Sequence, residues 1–112
     1  MIRPTVARVD LTALKSNYRH IVEHLEAEAR GRAPRVIAVV KANAYGHGAA
    51  QVGLALESAG ADLLACADIE EGATLRAAGV RAEILVFGAR VYWTSNAVAT
   101  HSLRNSTPTR AW

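Results

Sequence analysis

Val39-Val40-Lys41-Ala42-Asn43-Ala44-Tyr45-Gly46-His47-Gly48 is the stretch around which this sequence of 112 residues is arranged. It continues an apolar run that starts at residue 36, so we predict a buried strand over 36–40 that ends at Lys41. A lysine at the end of an apolar strand is costly to bury and has little structural use there. Catalytic groups stand at such strand ends in barrels of alternating strands and helices. Partial burial also favours the neutral amine that forms a Schiff base, so Lys41 is the main catalytic candidate.

Upstream of this motif, the sequence predicts one strand and one helix. The β-prone run at 5–9 predicts an N-terminal strand. Asp10 follows as a helix N-cap, and the helix is expected to end before Gly31. Its apolar positions recur at helical spacing. They are Leu11, Leu14, Tyr18, Ile21, Val22 and Leu25.

Downstream of the motif, helices and strands alternate up to about residue 88. A second helix is predicted to end at Gly60 and a third at Gly79, because glycine commonly follows a helix C-terminus. Asp68 and Glu71 have the spacing of a capping box at the start of the third helix. Further apolar strands are expected at 63–67 and 84–87. Two successive βαβ units place the chain in the α/β class, with a parallel sheet.

The motif closely resembles the pyridoxal-phosphate attachment site of bacterial alanine racemases. The pattern Val-x-Lys-Ala-Asn-Ala-Tyr-Gly-His-Gly is long and unusual in composition, and the resemblance runs from about residue 3 to about residue 88. It implies an incomplete (β/α)8 TIM-type barrel, made of the first few βα units with an N-terminal strand. A whole barrel needs about 250 residues. Residues 1–88 are therefore interpreted as part of an alanine racemase N-terminal barrel.

The resemblance also implies a role for two residues of the motif. Lys41 would bind pyridoxal 5'-phosphate covalently and act as one of two acid/base groups at the amino-acid α-carbon. Tyr45 would donate its hydroxyl to the cofactor phosphate. Their structural alternatives are a solvated lysine at a strand end and a tyrosine packed against the following helix. The second acid/base group would be a tyrosine from a C-terminal β-domain of the partner subunit, which this sequence does not contain.

The implied activity is the interconversion of L-alanine and D-alanine, which supplies D-alanine for peptidoglycan. The implied assembly of the intact family is a homodimer. We expect this sequence to be a truncated fragment that is inactive alone. Two alternatives stay open. One is a non-catalytic barrel fragment from a truncated or frameshifted gene, and the other is a racemase of a different amino acid, such as serine.

Residues 89–112 differ in character from the rest of the chain. They contain no Asp or Glu and are rich in Ser, Thr and Asn, without helical or strand periodicity. We predict an irregular polar tail that is unrelated to the family. A truncation or reading-frame change would explain it, and a divergent tail is the alternative.

Charge and composition argue against several other functions. The net charge of +3 comes entirely from the tail, because residues 1–87 contain ten Lys/Arg and ten Asp/Glu. A nucleic-acid surface is therefore not expected. The stretch 46–51 differs from the dinucleotide-binding pattern Gly-x-Gly-x-x-Gly, because Gln51 stands in place of the third glycine. Nucleotide binding is therefore poorly supported. The sequence has no apolar run long enough to span a membrane and no secretory signal. Its one cysteine, Cys66, is expected to be a buried thiol. These features predict a cytoplasmic protein without a membrane partner.

Three histidines are candidate functional groups. His20 and His24 have a spacing that can chelate a metal, but no third ligand is evident, so a solvated helix face is preferred and no metal site is expected. His47 is expected to be structural, with its ring bonded to nearby backbone.

Overall fold

The computed structural model describes residues 2–88 and the backbone of residues 91–93. From residue 36 to residue 88, the predicted alternation of strands and helices is confirmed. In chain order the elements are α1 (Leu11–Glu28), β1 (Ala38–Val39), α2 (Lys41–Tyr45), α3 (Ala49–Ser58), β2 (Leu63–Cys66), α4 (Ile69–Ala77), β3 (Glu83–Val86) and β4 (Val91–Trp93).

The four strands form one sheet in the order β1-β2-β3-β4. β1 pairs with β2 in parallel, with Ala38 opposite Leu64. β2 pairs with β3 in parallel, with Leu64 opposite Ile84. The two βαβ units therefore place their three strands side by side, as the sequence predicted. Because these strands run in the same direction, the residues that follow them lie along one edge of the sheet.

The core is centred on β2 and the helices that cover it. All four β2 residues are buried, whereas β3 buries only Ile84 and Val86 on alternating positions. Leu75 of α4 and Val80 pack into the same apolar cluster. The continuous burial of β2 agrees with the expectation for a parallel strand that is covered on both faces.

β1 is shorter than the strand predicted over 36–40. Only Ala38–Val39 is regular, although the Val40 N–H still donates to the Ala65 carbonyl over 2.8 Å. Ile37 and Val39 remain 46% and 37% exposed. β1 has a strand partner on one side only within the described chain, so the ladder that would extend it is missing there.

The predicted N-terminal strand at 5–9 is wrong. Residues 2–10 have no regular structure and are exposed, since no described strand lies beside them to complete a ladder. The predicted cap at the end of this segment is confirmed. One carboxylate oxygen of Asp10 accepts from the N–H groups of Thr12 and Ala13, each at 2.9 Å.

The tail was predicted to be irregular from residue 89 onward, and this is wrong at Val91–Trp93. These residues form β4, which pairs antiparallel with β3 and sets Val91 opposite Val86. Valine and aromatic residues favour strands. Only four residues separate the two strands, a connection that suits an antiparallel pair and not a parallel one. The rest of the predicted tail lies outside the described residues.

Gly53 of α3 packs closely against side chains outside its helix. A Cβ atom at this position would lie 3.0 Å from Leu75 Cδ2 and 3.2 Å from Val80 Cγ2. Both contacting side chains are almost fully buried, so they have little room to move. A side chain at position 53 would therefore force Leu75 and Val80 to shift by a few tenths of an ångström.

We expect Gly53→Ala to lower the free energy of unfolding by about 1 kcal/mol. Overpacking costs about 1–3 kcal/mol, and the higher helix propensity of alanine offsets about 1 kcal/mol of it. Urea unfolding followed by circular dichroism measures the change. Gly31→Ala is the control, because no atom of a described residue beyond its two chain neighbours lies within 4 Å of its added Cβ. A stabilised Gly53→Ala chain would show that the packing is looser than described.

Candidate functional site

The candidate site lies where the parallel strands end. Lys41 follows β1 after one residue, Asp68 and Glu71 follow β2, and Gly88 follows β3. In α/β folds, loops at this edge carry the functional groups, because the strands hold their starting points rigidly.

The segment after β1 is a left-handed helical turn. Residues 42–45 have φ angles of 51°, 54°, 53° and 55°, although none of them is glycine. For an L-residue this conformation costs roughly 1–2 kcal/mol, and four in a row are uncommon. In the sequence, Gly46 and Gly48 indicate a tight loop but not a left-handed turn in the residues before them. At φ 83° and 93°, these two glycines continue the positive-φ path, which glycine adopts without strain.

Backbone hydrogen bonds close the turn on itself. The Ala44 N–H donates to the Val40 carbonyl over 2.9 Å, and the Gly46 N–H donates to the Ala42 carbonyl over 3.0 Å. The Gly48 N–H donates to the Asn43 carbonyl over 2.9 Å. The sequence did not reveal this arrangement, because alanine and tyrosine have no preference for a left-handed backbone.

Two side chains of the motif support the turn. The Asn43 carboxamide oxygen accepts from the Ala49 N–H at 2.8 Å and so caps α3. The His47 Nδ1 lies 2.9 Å from the Ala44 carbonyl oxygen. Because a carbonyl can only accept, Nδ1 must carry the proton. The predicted structural role of His47, with its ring bonded to backbone, is confirmed.

Glu71 connects the turn to the next strand end. One of its carboxylate oxygens accepts from the Ala42 N–H and the other from the Ala67 N–H, both at 2.7 Å. The predicted capping box is only half present. Asp68 does accept from the Glu71 N–H at 2.8 Å, but Glu71 does not return the bond to Asp68. The Asp-x-x-Glu spacing in the sequence pointed to Glu71. No neighbouring residue indicated that its carboxylate would bond to Ala42, 29 positions away.

Lys41 and Tyr45 stand at the two ends of the turn. Lys41 is exposed, so the partial burial predicted for it is wrong, because no described side chain covers it. Lys15 on α1 is half-buried. Tyr45 is 60% exposed. Its ring lines an apolar cavity of about 380 Å³ together with Val52 and Leu56 of α3, which leaves most of the phenol accessible.

The remaining predictions concern histidines and membranes. His20 and His24 lie on the exposed face of α1. Among residues 2–88, no group of three or more His, Cys, Asp or Glu side chains is arranged to hold a metal. Within the described chain, no helix has the length and apolar character needed to cross a bilayer.

Cys66 lies at the end of β2 and is a fully buried thiol, as predicted. Its Sγ donates to the Asp68 carbonyl over 3.3 Å. Burial, and then the negative charges of Glu71 and Asp68, raise the pKa of the thiol from its ordinary 9.0 to about 11. This cysteine is therefore unsuited to act as a nucleophile at neutral pH.

Parallel βα units with a lysine at the C-terminal end of the first strand define the class of protein: an α/β protein whose sheet is consistent with part of a barrel and whose candidate site lies at the C-terminal edge of that sheet. A family model described as "Alanine racemase, N-terminal domain" matches residues 9–109. The chain belongs to this family, as its sequence motif indicated.

Relatives and solved structures agree with this assignment. The alanine racemase of Symbiobacterium thermophilum is 48% identical over 103 residues, which is 92% of this chain and 26% of that protein. Alanine racemase 1 of Bacillus subtilis is 45% identical over 87 residues, 78% of this chain and 21% of its own length. The crystal structure of the Bacillus anthracis alanine racemase with bound L-Ala-P superposes with a TM-score of 0.61 at 42% identity. That superposition covers 70% of this chain and 19% of the other.

The residues covered by these matches can be compared with the predicted boundary between residues 88 and 89. The chain spans 26% and 21% of the two relatives. The family match continues past Gly88, where the resemblance drawn from the motif stopped. The division into a barrel part at 1–88 and an unrelated tail at 89–112 stays a prediction.

The left-handed turn yields a test of backbone strain. Ala42 is exposed at φ 51°, so Ala42→Val changes no buried contact but places a β-branched residue in a conformation that such residues avoid. We expect a loss of about 2 kcal/mol in the free energy of unfolding. Ala73→Val, at an exposed position of α4, should lose only about 0.5 kcal/mol. Equal losses in urea unfolding would mean that residue 42 is not left-handed in solution.

The raised pKa of Cys66 predicts a pH dependence. At pH 8 its thiolate should be about a hundredfold scarcer in the folded chain than in the unfolded one, so a disulfide reagent should react far faster in urea. The folded form holds the proton more tightly, so this stabilisation is complete below pH 9 and is lost as the pH rises through 11. Cys66→Ala should lack that loss. Equal reaction rates in buffer and urea would show that the thiol is accessible.

Proposed function

We propose that this chain forms the cofactor-anchoring part of a pyridoxal-phosphate-dependent alanine racemase. One observation carries the proposal: in a chain of this family, Lys41 lies at the C-terminal edge of the parallel sheet and begins a left-handed turn that ends at Tyr45. Strain of this kind is retained where the surrounding structure requires it, and such places are commonly functional sites.

The residues at this edge fit the cofactor in their chemistry. Lys41 is an exposed primary amine, the group that condenses with an aldehyde. Tyr45 offers an accessible phenol, which can donate to a phosphate oxygen. Lys41 would therefore hold pyridoxal 5'-phosphate through its aldehyde carbon, and Tyr45 would bind the phosphate.

The chemistry follows from this placement. When bound, pyridoxal phosphate withdraws electrons from the α-carbon of an amino acid and so acidifies its proton. Once the amino group of the amino acid has replaced Lys41 at the aldehyde carbon, the freed Nζ of Lys41 would take that proton, or return it, on one face of the α-carbon. Inversion needs a second acid/base group on the opposite face. By family resemblance, this group is a tyrosine of a further domain from the partner subunit.

Substrate, assembly and location belong to the same proposal. The relatives are named alanine racemases, and one solved structure carries L-Ala-P, which supports L- and D-alanine as the substrate pair. Provision of D-alanine for peptidoglycan, a homodimer and a cytoplasmic location follow by family resemblance. The free thiol of Cys66 is compatible with a reducing compartment.

The first test is where the cofactor attaches. We expect pyridoxal phosphate followed by borohydride to label Lys41 preferentially, because Tyr45 closes the same turn and can hold the phosphate. Lys15 is the only other lysine, and it lies half-buried on α1, outside the motif that contains Tyr45. Lys41→Ala should reduce the label to background, and Lys15→Ala should leave it nearly unchanged. Peptide mapping by mass spectrometry measures both.

A matched variant tests the contribution of the phenol. Tyr45→Phe keeps the ring but removes the hydroxyl, so it should weaken attachment at Lys41 without changing the fold. Label divided equally between Lys41 and Lys15 in the unmodified chain would contradict the proposal.

A further inference from the structure

The Glu71 carboxylate spans two strand ends. Its Oε1 accepts from the Ala42 N–H and its Oε2 from the Ala67 N–H, each over 2.7 Å. Ala42 follows Lys41, and Ala67 follows the last residue of β2. One side chain therefore ties the backbone beside the candidate lysine to the neighbouring strand, through two bonds of the strong kind that a charged acceptor makes.

Glu71 is itself held in place by the start of α4. Its N–H donates to Asp68 Oδ1 over 2.8 Å, and the Gly72 N–H donates to the Asp68 carbonyl over 3.2 Å. These contacts fix the first turn of the helix, so the carboxylate is presented from a rigid element. A group held this way can impose a position on its partners.

The partner that needs such support is the left-handed turn. Ala42 is the first of four consecutive non-glycine residues with positive φ. Its carbonyl accepts within the turn, from the Gly46 N–H, whereas its N–H donates outside the turn, to Glu71. A strained backbone persists only when surrounding contacts hold it in place. At the Lys41 end of the turn, Glu71 provides such a contact.

We infer that Glu71 is a positioning residue, which sets the backbone of the left-handed turn and thereby the relative placement of the Lys41 amine and the Tyr45 hydroxyl. Glu71 acts through the Ala42 N–H. The role of Glu71 in cofactor attachment rests on the function proposed above, whereas its control of the left-handed turn does not.

The chain offers a closely matched control. Glu70 lies beside Glu71 in the first turn of α4, is exposed, and makes no side-chain hydrogen bond among the described residues. Glu70→Gln and Glu71→Gln remove the same charge from the same helix end. Only Glu71→Gln loses a bond, because a carboxamide has one acceptor oxygen and would turn its NH2 group toward the other backbone N–H.

Nuclear magnetic resonance of the full chain reads the turn directly. A positive φ brings an amide proton close to the α-proton of the same residue, which gives a strong intraresidue Overhauser effect. We expect these signals at residues 42–45 to be strong in the unmodified chain and in Glu70→Gln, and to weaken in Glu71→Gln. Signals of Ile69–Ala77 should persist in all three, because Asp68 still caps α4.

Cofactor labelling is the second readout. In Glu71→Gln, the ratio of pyridoxyl label on Lys41 to that on Lys15 should fall toward one, while Glu70→Gln keeps the original ratio. A structural role confined to capping α4 would lower the melting temperature without changing this ratio in the folded chain.

Several results would overturn the inference. Glu71→Gln could keep both the Overhauser signals and the label ratio, or Glu70→Gln could lose them equally. If Glu71→Gln does not fold, hydrogen exchange in the unmodified chain decides the matter, and rapid exchange of the Ala42 N–H would refute the bond. Failure of the unmodified chain to label Lys41 would count against the proposed function, while its Overhauser signals would still test the role of Glu71 in the turn.

Discussion

The left-handed turn at residues 42–45 is the constraint on which the candidate site depends. It lies between β1 and α3 and leaves Lys41 and Tyr45 at its two ends. The backbone strain is opposed by bonds from three side chains, those of Asn43, His47 and Glu71. Removing any of these supports should shift the turn toward ordinary backbone geometry, with consequences for the residues at both of its ends.

Carboxylates on helices recur as the means of fixing loops in this structure. Glu71 on α4 accepts from backbone N–H groups at the C-terminal edge of the sheet. Glu57 on α3 accepts from the N–H groups of Arg81 and Ala82, each at 2.6 Å, just before β3 begins. Beyond its ends a strand no longer satisfies its backbone donors through the ladder, and these side chains satisfy them instead. The exposed ion pair of Arg35 with Asp62, at 3.2 Å, contributes much less, because water screens it.

Much of the fold follows from local patterns. The cap at Asp10, the helix ends at Gly60 and Gly79 and the parallel order of β1, β2 and β3 all follow from residue spacing. The predictions from the sequence were wrong where the formation of a strand depends on a partner strand. The run at 5–9 has strand propensity but no described neighbour, whereas Val91–Trp93 pairs with β3. Propensity states what a segment can form, and a strand exists only when another strand completes its hydrogen bonds.

The sequence by itself determined the family, the α/β class and the candidate residues Lys41 and Tyr45, because a ten-residue motif and apolar periodicity are both readable along the chain. Only the tertiary structure decided the left-handed path of residues 42–45, the exposure of Lys41 and the hydrogen bond that the Ala42 N–H donates to Glu71. The physical reason is the range of the interactions. Caps and periodic faces arise from residues a few positions apart, whereas the turn is held by a carboxylate 29 positions away that folding brings to it.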